Sequence, residues 1–223
     1  MTAQTIPTTT TTTANTTATT SATPADVSTR RLLACGIVAT PLFFAVAFAQ
    51  VFTRDGFDLT RHMISQLSLG HLGWVQIANF LLTGTLYVLC AVGLRRAGEG
   101  TWGPRLIGVF GAGLVAAGLF RADPAGGFPP GSADAGVSWH GVLHGVAALV
   151  AGLALFAATL VHARRFARQG RRGWAVASLG CGVLYLVFPW LDADLASLLL
   201  ALGSVIGWSW VSALAARSVV ARP

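Results

Sequence analysis

The sequence predicts an all-α, polytopic membrane protein with six transmembrane helices and a disordered N-terminal tail. Apolar residues make up 54% of the chain and charged residues only 10%, against roughly 25% charged in a soluble domain. Six apolar stretches approach or reach the roughly 20 residues that a helix needs to cross a bilayer. All 15 basic residues are arginines, and they cluster at the ends of those stretches. A soluble helical domain of this composition would lack the polar surface to cover its core. The net charge of +7 is no nucleic-acid signal, because no soluble module gathers the arginines on one face. Cys35, Cys90 and Cys181 all fall inside apolar stretches, without the spaced loop partners of a disulfide framework or a metal site.

Residues 1–29 are rich in Thr, Ala and Ser and nearly free of large apolar side chains. Such a segment cannot bury enough surface to offset its ordering entropy, so it reads as a disordered tail. Arg30-Arg31 opens the first span, 32–52. The arginine pair resembles a twin-arginine leader, and Ala47-Phe48-Ala49 resembles a cleavage site. The apolar run is longer than a usual leader, which favours a membrane anchor. A polar segment, 53–72, follows, in which Met63, Ile64, Leu67 and Leu69 are interleaved with polar residues as in a short helix lying in the headgroup region. The second span, 73–94, contains Asn79, whose amide requires a partner on a neighbouring helix. The third, 104–121, is rich in small residues and reads as a close-packing surface. Its Gly111-Ala112-Gly113 is no nucleotide loop, since no strand precedes it.

The longest polar interruption follows, from Asp123 to the start of the fourth span at Trp139. Gly126, Gly127, Pro129, Pro130 and Gly131 exclude a regular helix or central strand there. The fourth span covers 139–162, the fifth 174–191 and the sixth 195–216, so that 30–217 forms one membrane domain with a short tail, 218–223. Placing loops on alternate sides puts Arg30, Arg31, Arg95, Arg96, Arg105, Arg164, Arg165, Arg168, Arg171, Arg172, Arg217 and Arg222 together, and only Arg54, Arg61 and Arg121 opposite. The positive-inside rule then makes both termini cytoplasmic in a multi-pass protein of the cell membrane. Asp58, Asp123, Asp134, His62, His71, His140 and His144 fall at the outer face, and His162 at the inner. A weak internal repeat superposes His71 on His140, Arg95-Arg96 on Arg164-Arg165 and Asp123 on Asp192.

The segment Arg61-His62-Met63-Ile64-Ser65-Gln66-Leu67, with Ala78-Asn79-Phe80, Phe120-Arg121-Ala122-Asp123-Pro124 and Trp139-His140-Gly141 to His144, resembles a prokaryotic membrane family. It is known as a domain of unknown function, number 998. The resemblance covers roughly residues 31–217 and implies a six-helix membrane protein with no established activity. Where many members of the family have Asp after the Ser, this chain has Gln66.

Three readings of the outer polar cluster remain open. In the first, the histidines bond loop carbonyls or lipid headgroups, and Arg121 and Asp123 cap the third span. In the second, His140 and His144, one helical turn apart, join His62 as zinc ligands of an outward-facing lipid or amide hydrolase. Asp123 then orients a ligand or water, and Ser65 contacts the substrate oxyanion. That set is similar to the alkaline ceramidase and progestin/adipoQ receptor superfamily, but it differs in span number and spacing. The third reading is haem or quinone held by His71 with His140 or His144. No span carries an acid or base at mid-membrane, which argues against ion-coupled transport. The expectation is a structural, lipid-interacting or accessory protein whose partners are membrane lipids, with the zinc hydrolase as the alternative. A membrane-protein partner or a second copy is left open.

Overall fold

The computed structural model describes residues 24–132 and 136–221. The Thr-rich stretch before residue 24 and Asp134 lie outside those residues, and so does the disorder expected of that stretch. Six α-helices follow in order: α1 (Pro24–Thr53), α2 (Gly73–Arg96), α3 (Trp102–Leu119), α4 (Trp139–Arg168), α5 (Arg172–Val187) and α6 (Ala196–Val220). Short 3-10 helices occupy Ile64–Ser68 and Phe188–Trp190, and no strand occurs among the described residues. All six α-helices are long and apolar enough to cross a membrane, the fifth together with its 3-10 extension. The largest departures from the boundaries read off the sequence are extensions at the arginine-rich ends, with α4 running on to Arg168 instead of residue 162. Helix α1 begins at Pro24 instead of residue 30, with Asp26 in its first turn complementing the helix dipole. Helix α6 runs on to Val220. Hydrophobicity marks where a span leaves the hydrocarbon, whereas the backbone ladder continues into the headgroup layer.

Each helix packs against its neighbours in sequence, and α6 closes on α1, so the bundle is a ring. Small residues set its tightest seams. A Cβ on Gly84 of α2 would stand 2.6 Å from the Gly111 carbonyl oxygen of α3, and one on Gly113 would meet Ala151 of α4 at 2.7 Å. Both faces of α3 are therefore close-packing surfaces, as its composition suggested. Asn79 has the partner it required, donating to the Phe43 carbonyl of α1 at 3.0 Å, while Gln50 donates to Gln76 Oε1 at 2.8 Å. Deeper in, Thr40 Oγ1 lies 2.6 Å from the Tyr87 hydroxyl and donates to the Trp208 carbonyl at 2.9 Å, tying α1 to α2 and α6. In lipid these groups have no water to fall back on, so the pairs fix the register between helices.

The loops alternate between two faces. The arginine-rich face holds both ends of the described chain and the α2–α3 and α4–α5 turns. There Glu99 accepts from Arg217 at 3.0 Å and from Ser218 at 3.1 Å, and Arg165 Nε lies 3.5 Å from its other oxygen. The Arg217 guanidinium sits 4.7 Å from the Phe166 ring centre and 5.5 Å from that of Trp174. Exposed Trp74, Trp139 and Trp190 ring the opposite face and Trp102 the arginine-rich one, the placement of an aromatic belt.

Candidate ligand cavity

The face opposite the arginines is covered by a cap built from residues 54–72 and the loop after α3. Arg54 leaves the end of α1 and donates to the carbonyls of Leu67 (3.1 Å) and Leu69 (2.7 Å), with its guanidinium 5.4 Å from the Phe128 ring centre. The interleaved segment does form a short helix, of 3-10 type, but it is not laid on the surface. Gln66, Leu67 and Ser68 are buried. Gln66 accepts from the Met63 N–H and donates to the Ala125 carbonyl, each at 2.8 Å, and so joins the two halves of the cap. An aspartate there could not donate the second bond.

His62 is buried inside this cap between the Phe57 and Phe128 rings. Its Nδ1 accepts the Asp58 N–H at 2.9 Å, so its Nε2 must carry the proton that faces the Gly126 carbonyl, also at 2.9 Å. Gly126 has φ 68°, and a Cβ on it would come 3.1 Å from the His62 ring. Both ring nitrogens are thus spent on the loop. Asp58 holds the turn through Thr60, whose hydroxyl and N–H bonds keep its carboxyl below the usual carboxylate range.

Beneath the cap the ring encloses a cavity of about 390 Å³. Its walls are apolar: Phe43 and Phe44 of α1, Phe80 of α2, Phe110 and Leu114 of α3, Ala151 of α4 and Trp208 of α6. Its capped end is polar, with Arg61, Ser65, Gln66, Asp123 and His144. His144 is buried and aims Nδ1 at the carbonyls of Ala117 (3.0 Å) and Phe120 (2.8 Å), where α3 ends. Two carbonyls allow only donation, so Nδ1 carries a proton, and Nε2 has no partner among the described residues. The Ser65 hydroxyl likewise has none. Asp123 is committed. One oxygen accepts the Ser138 N–H at 2.9 Å, the other accepts the Ser138 hydroxyl, and that hydroxyl accepts the Gly141 N–H as the N-cap of α4. These bonds, helped by His140 and His144, hold the Asp123 carboxyl below the usual range. A Cβ on Gly141 would overlap that carboxylate, so only glycine permits the approach.

The expected convergence is therefore partial. Ser65, Asp123 and His144 line one cavity, whereas His62 and His140 do not. His140 lies stacked on Trp139, with ring centres 3.5 Å apart. The expected zinc ligands His62, His140 and His144 do not stand together, and no group of three His, Cys, Asp or Glu able to hold a metal occurs among the described residues. A helical spacing of four put His140 and His144 on one side, but the first stacks on Trp139 and the second bonds the end of α3. His71, on the exposed turn before α2, does not join His144 at the cavity either. Sequence reasoning missed the far wall, Ser197, Ala201, Ser204 and Trp208 of α6, whose spacing marks one helix face. It also missed Glu99 at the other end.

Fold and cavity together define a six-helix integral membrane protein with a largely apolar cavity beneath a polar cap. Residues 37–217 match the family described as protein of unknown function (DUF998), and the chain belongs to that family. No curated protein and no solved structure matches the chain.

Proposed function

We propose that this protein binds a membrane lipid, holding the apolar chain inside the ring and the polar group beneath the cap. The observation that carries this reading is the 390 Å³ cavity, whose walls are mainly aromatic and aliphatic and whose charged and ionisable side chains, Arg61, Asp123 and His144, gather at the capped end. Its volume falls within the roughly 300–1,000 Å³ of small-molecule sites. His144 Nε2 and the Ser65 hydroxyl supply free hydrogen-bonding groups to a headgroup, and Arg61 supplies positive charge. Asp123 adds little repulsion toward an anion, because both of its oxygens are engaged at the positive end of α4. The arginine distribution supports a cell-membrane protein with both termini cytoplasmic and the capped face outside.

The test is native mass spectrometry of the protein released from mild detergent, with extraction and identification of what co-purifies. One retained phospholipid per chain is expected, with clear loss in Ser204→Phe, which fills the cavity from α6. A wild-type protein that carries no lipid after reconstitution in phospholipid vesicles sinks the reading.

A further inference from the structure

The bundle does not close evenly around its cavity. Helix α5 stands between α4 and α6, and Tyr185, near its end at the capped side, is the crosspiece. A Cβ on Gly152 of α4 would stand 2.9 Å from the Tyr185 hydroxyl, and one on Gly207 of α6 would meet the Tyr185 ring at 3.0 Å. Beyond Tyr185 the chain turns into Phe188–Trp190, which packs chiefly against α6. Among the described residues, no comparable segment packs against α4 at that level. Gly145 and Ala148 both line the cavity, yet both are exposed, and a Cβ on Gly145 meets nothing within 4 Å. Ser197 and Leu200 of α6 line the same cavity, and at that end α6 is not packed directly on α4.

We propose that this gap is a lateral portal, through which the cavity admits a bilayer phospholipid from the leaflet on the capped side without passage through water. The proposal rests on the lipid-binding reading above and names the source and route of the ligand. Two features favour the bilayer over the aqueous phase. The cap is tied across the aqueous end by Arg54, His62 and Gln66, each bonded to backbone carbonyls. The gap also lies at chain depth: at 1.5 Å per residue, Gly145 and Ala148 are roughly 9 and 14 Å along α4 from Trp139, within the roughly 15 Å half-thickness of the hydrocarbon core. A chain end meeting α4 there finds glycine and alanine, whereas the adjoining exposed stripe of α4 carries Val142, Val146 and Leu149.

The experiment uses the full chain in phosphatidylglycerol–phosphatidylcholine vesicles containing a phospholipid with a photoactivatable acyl chain. Adducts are mapped on the cavity face of α6, at Ala201 and Trp208. Wild type should give adducts there, and Gly145→Trp should give them about tenfold more slowly, since a plug that must move aside raises the barrier. Gly145→Cys keeps the outcome independent of folding. It should behave as wild type until a bulky maleimide is attached to the folded protein, with equally treated wild type as the control for the native cysteines. Wild-type labelling in the plugged forms overturns the portal while leaving the lipid site intact. If wild type itself gives no adducts on that face, or Ser204→Phe labels as strongly as wild type, the lipid-binding reading fails and the portal with it.

Discussion

At the arginine-rich end Glu99 meets Arg165, Arg217 and Ser218, and the rings of Phe166 and Trp174 lie against the Arg217 guanidinium. At the capped end Ser65, Asp123 and His144 surround a hollow. Both ends place polar side chains at the membrane boundary, so polarity alone does not tell them apart. Side-chain size does. Long arginines and large rings fill the first end from three helices. At the second, the α4 and α6 walls carry the small residues Gly145, Ala148, Ser197, Ala201 and Ser204 beside His144, Leu200 and Trp208, and a cavity remains between them. A filled end serves stability. A hollow one, walled by apolar groups and finished with unpaired polar atoms, is shaped to receive something.

The largest effect should come from the filled end. Glu99→Ala removes the shared acceptor of two cations whose side chains are 12% and 33% exposed. We expect a loss of about 2–3 kcal/mol, below the 3–5 kcal/mol of fully buried pairs because Arg165 reaches solvent. Glu99→Gln should lose less, since it still accepts from Ser218. Thermal unfolding in detergent measures both, and an unchanged midpoint in Glu99→Ala would erase the contrast between the ends.

The same substitution should have opposite signs at the two ends. Ser218→Leu crowds a residue only 2% exposed, and overpacking of this kind costs about 1–3 kcal/mol. Ser204→Leu fills part of the cavity and should raise the stability of delipidated protein by about 0.5–1 kcal/mol, as cavity filling does. It should also abolish lipid retention. Equal destabilisation by both would mean that the cavity wall is packed as tightly as the arginine-rich end.

Smaller effects belong to the joint between cap and bundle. Ser138→Ala deletes the N-cap of α4 and should cost about 1 kcal/mol, read from the same melting curves. It also removes the first of the two Ser138 bonds that depress the Asp123 pKa, the hydroxyl bond, and leaves the backbone N–H bond in place. A carboxyl depressed in the folded state contributes stability that is complete above its unfolded pKa and lost as pH falls through the folded one. Ser138→Ala should therefore move the acid-unfolding midpoint to higher pH, monitored by tryptophan fluorescence. An unchanged midpoint would show that Asp123 is not coupled to folding through Ser138.

The sequence by itself determined the helix count, the placement of charges and the depth of each polar group. In lipid every backbone bond must be made within its own segment, so each span is legible from its own length and hydropathy. Asn79 was legible as an amide in need of a partner, and α3 as a close-packing helix, on the same local grounds. Depth is a coordinate along the membrane normal, and it correctly put His62, Ser65, Asp123, His140 and His144 near one face. Position around the ring is a different coordinate, which no single segment carries. Only the closing of α6 onto α1 brought Ser197, Ser204 and Trp208 opposite His144. Only the folding of the cap turned His62 inward, onto the Asp58 N–H and the Gly126 carbonyl. His140 and His144 show the limit most directly. They are four residues apart on one helix, yet one rests on Trp139 and the other caps α3, because neighbouring helices, not spacing, decide what a side chain meets.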